Sequence, residues 1–74
     1  MKIEYSKSAD ALYVCFKTAE VARSEEVEEG VVLDLDAQGH LIGIEILDAT
    51  ARVGLKDLVN VSIENLPVEM VKEN

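Results

Sequence analysis

Two runs of branched and apolar residues, Val31-Val32-Leu33-Asp34-Leu35-Asp36 and Leu41-Ile42-Gly43-Ile44-Glu45-Ile46-Leu47, flank the pentapeptide Asp36-Ala37-Gln38-Gly39-His40. Asp opens a type I turn, and a Gly three residues later can take positive φ, so the spacing predicts a three-residue hairpin loop with a bulge. That loop pairs Asp36 with His40 and Leu35 with Leu41. Carried outward without interruption, the register sets Leu33 beside Gly43 and Val32 beside Ile44. One face then collects Val32, Ile42, Ile44 and Ile46, and the other collects Val31, Leu33, Leu35, Leu41 and Leu47. Both faces read as apolar, and each needs a cover, because a sheet normally leaves only a polar face to water.

The chain has little material for two covers. Its 74 residues make one domain, residues 1–74, and a chain of this mass buries roughly 60% of its extended surface on folding. Ile3 and Tyr5 alternate with Lys2 and Glu4, and Ala11-Leu12-Tyr13-Val14-Cys15-Phe16 follows after a polar turn, which reads as a second hairpin. Glu20 to Glu28 alternates weakly and is polar enough for a sheet edge. Around Leu55 to Leu66 the pattern fits a helix, yet Val59, Val61 and Ile63 also alternate as a strand does. We read a helical turn over Leu55 to Leu58 and a strand from Val59 to Asn65. The tail Val68 to Asn74 reads as a marginal helix or a frayed end. The expected fold is mainly β, or α+β: a small antiparallel meander of about six short strands with a helical turn near the C-terminus.

With so little helix to lie on the sheet, the missing layer is most simply a second copy of the chain. A homodimer is the expected state, with a sheet curled into a small barrel as the monomeric alternative.

Charge narrows the partners. Lys and Arg number 7 against 15 Asp and Glu, a formal net charge of −8, so the field of the protein repels phosphate backbones and anionic lipid. Tyr5, Tyr13 and Phe16 are the only aromatics, too few for a series of base-stacking platforms. Neither nucleic acid nor a membrane is expected as a partner. No apolar stretch near the start reads as a signal peptide, and the single Cys15 has no internal disulfide partner, so a cytoplasmic location is expected.

Chemistry-bearing residues are sparse. Tetrahedral metal sites draw on Cys and His, and the chain has one of each, Cys15 and His40, in no ligand-spaced motif; the glycines match no phosphate-binding spacing. No catalytic residue, metal or cofactor is expected. Asp34 and Asp36 share one side of a strand and, with Glu45 and Asp48, offer the alternative of a carboxylate site at a dimer cleft for a metal ion, a small molecule or an enzymatic reaction. The one dense charge cluster is Glu25-Glu26-Val27-Glu28-Glu29. It reads either as an aggregation-resistant edge strand or as an acidic docking strip, formed by Glu25, Glu26, Glu28 and Glu29, for a basic protein.

Ala9-Asp10-Ala11-Leu12-Tyr13-Val14, the stretch from Glu26 to Asp36, and Gly43-Ile44-Glu45-Ile46-Leu47-Asp48-Ala49, in this order, resemble the small prokaryotic family named domain of unknown function 2283. The likeness runs over about residues 1 to 53. The family pattern often has Asp in place of Ser6 and Ser in place of Thr50. The resemblance implies a β-rich cytoplasmic protein and assigns no catalytic residue or cofactor. Because such domains can be encoded beside a toxin-like protein, it also suggests an antitoxin. The expected function is therefore a homodimeric interaction module, antitoxin-like toward a basic partner, and not an enzyme.

Overall fold

Strand-favouring runs form strands wherever a neighbour is available to complete their hydrogen bonds. The computed structural model describes residues 1–65. Its strands are β1 (Lys2–Ser6), β2 (Ala11–Cys15), β3 (Arg23–Glu28), β4 (Val31–Leu35) and β5 (Leu41–Leu47), followed by the short helices α1 (Ala49–Arg52) and α2 (Leu55–Leu58). They build one antiparallel sheet in the order β1-β2-β5-β4-β3. The hairpin β1-β2 and the meander β3-β4-β5 are joined where β5 returns beside β2. The chain between β2 and β3 crosses the end of the sheet, tied by Phe16 N–H to Ile42 O and Ala22 N–H to Leu35 O, both 2.8 Å.

Among the described residues the strands number five, not six. The helical turn over Leu55–Leu58 forms as expected, but residues 59 to 65 make no strand. Asp48, at φ 52, takes the left-handed conformation at the end of β5 and turns the chain into α1. The following segment thus leaves the sheet and meets no strand ladder. Alternation favours a strand only where a partner offers donors and acceptors, and Val59, Val61 and Ile63 remain exposed. The expected helix or frayed end over Val68 to Asn74 lies outside the described residues.

The turn between β4 and β5 forms as its sequence predicts. Asp36 N–H donates to His40 O and Gly39 N–H to Asp36 O, each at 2.9 Å, with Gly39 at φ 83 and Leu35 opposite Leu41. Beyond Leu35 the register departs from the expected one. Asp34 pairs with Gly43, Leu33 with Ile44 and Val31 with Ile46, which leaves Ile42 as an unmatched, bulged residue.

Since side chains alternate with a period of two, this slip moves the whole of β4 to the opposite side of the hairpin. Val31, Leu33, Ile44 and Ile46 now share a face with Leu12, Val14, Ile3 and Tyr5. The other face carries Lys2, Glu4, Tyr13, Cys15, Ser24, Glu26, Val32, Asp34 and Glu45. The expectation of two apolar faces is therefore corrected: the sheet has one apolar face and one mostly polar face. The bulge is favourable because it gathers the branched side chains of four strands on one side, where they exclude water together.

Ile42 is 2% exposed, and Leu12, Leu35 and Ala49 complete the fully buried apolar set among the described residues. Gly43 is fixed by close approach: a Cβ there would stand 2.6 Å from Tyr13 Oη and 2.7 Å from the Val14 carbonyl oxygen. The Tyr13 ring lies over this glycine, the aromatic cover that sheets use where a glycine leaves a gap. Replacing Gly43 with Ala should cost about 1–3 kcal/mol of stability, since the backbone carbonyl cannot yield as a flexible side chain could. Urea unfolding measures it, and an unchanged midpoint would show that the ring and strand shift freely.

Candidate functional site

The carboxylates of the expected docking strip do not form one continuous patch. Strand β3 is an outer strand of the sheet and is exposed along its whole length. Glu25 pairs with Leu33 and so stands at the margin of the apolar face, whereas Glu26 pairs with Val32 on the polar side. A bulge between Glu26 and Glu28 interrupts the ladder. The Glu26 carboxylate accepts the Gly30 N–H at 3.3 Å, and Glu28 pairs with Arg52 Nη1 at 3.1 Å. Arg52 also donates through Nη2 to the Glu29 carbonyl, so α1 is fastened to the turn between β3 and β4. Two of the four acids therefore serve the turn, and Glu25 and Glu29 keep their carboxylates unbonded among the described residues.

The alternative carboxylate set is not drawn together. Asp34 accepts the Ser24 hydroxyl at 2.6 Å on the polar face. Asp36 is held in the hairpin turn, and Asp48 caps α1 without a side-chain bond. Among the described residues no three His, Cys, Asp or Glu side chains are grouped to hold a metal ion. Cys15 and His40 are likewise spent separately: the thiol donates to the Lys17 carbonyl at 3.3 Å, and His40 Nδ1 stands 4.0 Å from Asp36. An open groove of about 390 Å³ on the polar side is lined by Lys2, Glu4, Tyr13, Cys15, Lys17 and Ile42, among others. Its polar groups answer one another instead of converging on a common point. Lys2 pairs with Glu4 at 3.4 Å and Lys17 with Asp36 at 2.9 Å. Burial raises the pKa of the Tyr13 phenol, and the neighbouring Asp34 carboxylate adds to it, so the phenol remains a neutral donor.

The richest polar node lies at the turn between β1 and β2. Asp10, at φ 48, receives the Tyr5 hydroxyl at 2.8 Å, the Thr50 hydroxyl at 2.8 Å and the Thr50 N–H at 3.2 Å, while its carbonyl takes the Ala49 N–H at 2.9 Å. Tyr5 and then Thr50 hold the carboxyl below its ordinary pKa, because their hydrogen bonds favour the ionised form. The node clasps the first hairpin to α1 across forty positions of sequence. Sequence reasoning did not find it, since nothing local marks an Asp whose partners are that distant. The only signal was the presence of both segments in the resemblance. A Ser at position 50 would keep the hydroxyl. The Ser6 Oγ, which accepts the Ala9 N–H at 3.4 Å, does what an Asp carboxylate also does in such turns.

Opposite these bound polar groups, the apolar face is only partly covered. Val14, Val31, Leu33, Ile44 and Ile46 are half-buried, and Ile3 and Tyr5 are exposed. Near β1 the chain after α2 arches over the face and leaves a hollow of about 450 Å³ lined by Ile3, Tyr5, Leu12, Leu58, Val59 and Val61. This hollow offers no set of polar groups to orient a substrate.

Acid titration tests the turn. Lys17, foremost, and the His40 and Gln38 N–H groups lower the Asp36 pKa from 3.8 to about 2. A lowered folded-state pKa contributes stability that is complete above the unfolded value and is lost as pH falls toward the folded one. The stability of the wild type should therefore decline between about pH 4 and pH 2, and Asp36→Asn should flatten part of that decline in denaturant titrations at stepped pH. An identical slope in the variant would remove Asp36 as a contributor.

Comparison with curated proteins gives no match, and comparison with solved structures gives none. The family model described as Protein of unknown function (DUF2283) matches residues 2–49, from the first strand to the start of α1. The matched span contains all five strands and the Asp10 side of the clasp, and the chain belongs to this family of proteins of unknown function.

Proposed function

We propose that the protein is a non-enzymatic interaction module that self-associates through its apolar sheet face and presents the acidic strand β3 to a basic protein. The observation that carries this reading is the imbalance between the two faces. Polar groups on one side are engaged with one another, while the branched residues of four strands on the other remain half open.

Such a module acts in the cytoplasm, where a lone Cys15 stays reduced. The finer reading is an antitoxin: a chain of net charge −8 that captures a basic toxin and masks its working surface. Long-range attraction speeds the encounter, and the apolar contacts set the lifetime of the complex. Among the described residues no helix is long and apolar enough to cross a membrane, and a surface of this charge does not attract phosphate.

Light scattering of the purified protein should give twice 8.1 kDa at micromolar concentration. Tagged protein should recover a basic partner from native lysate, and the combined change Glu25→Lys and Glu29→Lys should reduce that recovery at low salt without altering the fold. The difference should vanish as salt rises and screens the charges. Equal recovery by both proteins at low salt would remove β3 as the contact.

A further inference from the structure

We infer that residues 54–65 are a hinged strap, which closes over Leu12 at the β1–β2 end of the apolar face and lifts from it while the sheet and α1 stay folded. Leu12 is the residue that points to this. Its neighbours on the same face differ from it: Val14, Leu33, Ile44 and Ile46 are half-buried and Ile3 and Tyr5 are exposed, yet Leu12 is only 6% exposed. What sets it apart is its place in the hollow, which Leu58, Val59 and Val61 of the strap line together with Ile3, Tyr5 and Leu12 of the sheet.

The strap is lightly seated. Val59 is 80% exposed, Val61 61% and Ile63 74%, and Leu58 is half-buried, so the segment buries little apolar surface when it closes. Among the described residues its hydrogen bonds stay within the segment and none reaches the sheet: the Asp57 and Leu58 N–H groups donate to Gly54 O, the Asn60 N–H to Asp57 O, and Asn60 Nδ2 to Lys56 O. Helix α1, immediately before it, is fastened at both ends. Ala49 is buried with its N–H on Asp10 O, Thr50 is held by the Asp10 carboxylate, and Arg52 is held by Glu28 and the Glu29 carbonyl. The Val53 N–H still donates to Ala49 O at 2.7 Å, so the pivot falls between Val53 and Gly54. A segment with few buried apolar contacts opens at a lower free energy than the body of a fold. Opening joins Leu12 to the rest of the half-open face. For the self-association proposed above, on which this consequence rests, the strap is a competitor, because affinity is reduced by the fraction of molecules in which the surface is uncovered.

In a Cys15→Ser background, Leu12→Cys and Leu35→Cys each place a single thiol at a site whose native residue is 6% exposed, the first in the hollow and the second outside it. Alkylation of the dilute full chain by iodoacetamide, followed at stepped urea concentrations below unfolding, reads the openings. Position 12 should react at least about tenfold faster than position 35 and with little dependence on urea, since lifting the strap exposes little surface, whereas position 35 waits for the sheet to unfold. Adding Leu58→Ser should speed position 12 by about fivefold or more and leave position 35 unchanged. Equal rates with equal urea slopes, or a position 12 indifferent to Leu58→Ser, would overturn the strap. Hydrogen exchange of the unsubstituted protein decides the matter if a cysteine variant fails to fold. The Asp57, Leu58 and Asn60 amides should exchange through an opening that leaves the Ala49, Thr50 and Val53 amides protected, and exchange of both sets together would overturn the strap. Light scattering reads self-association separately, so a monomer whose strap lifts as expected would remove the association and keep the strap.

Discussion

Because side chains in a strand alternate between two sides, the single unmatched residue Ile42 decides where every residue of β4 points. With Ile42 bulged, Leu33 stands beside Ile44 and Val31 beside Ile46. Without it, the same residues would fall on opposite faces, and the sheet would present apolar surface in both directions. One-sided apolarity is the condition for the rest of the structure. It allows the polar face to settle its charges in local pairs, and it concentrates the unmet burial on one side.

The polar side shows how a small chain spends its functional groups. Asp36 organises a turn, Asp34 accepts Ser24, Glu26 and Glu28 serve the next turn, and Asp10 fastens the first hairpin to α1. Exposed polar contacts of this kind, the Glu28–Arg52 ion pair among them, each contribute little to stability, and their main effect is to fix geometry at the corners of the sheet. Groups so engaged are each directed at a local partner. The apolar side has the opposite character, with few directional groups, and it is the side on which the proposed association rests.

Much of this was legible from local chemistry. The run Asp36 to His40 predicted its turn, including the Leu35–Leu41 pair, because every atom involved lies within a few residues. The polar edge strand and the helical turn over Leu55–Leu58 were legible for the same reason. The sixth strand was not, since alternation in Val59, Val61 and Ile63 says nothing about whether a partner strand is within reach. The acidic cluster from Glu25 to Glu29 was legible as charge but not as geometry. Which carboxylates are engaged depends on Arg52 and Gly30, whose positions follow from the packing of α1 and the β3-β4 turn.

The sequence by itself determined the β-rich class, the central hairpin turn and the strongly acidic character of the chain. These follow from composition and from interactions between near neighbours in the chain. Tertiary structure decided the strand order, the bulge at Ile42, the clasp between Asp10 and Thr50, and therefore which side of the sheet is apolar. Those features depend on burial summed over four strands and on partners up to forty residues apart, a balance that no local window of sequence contains.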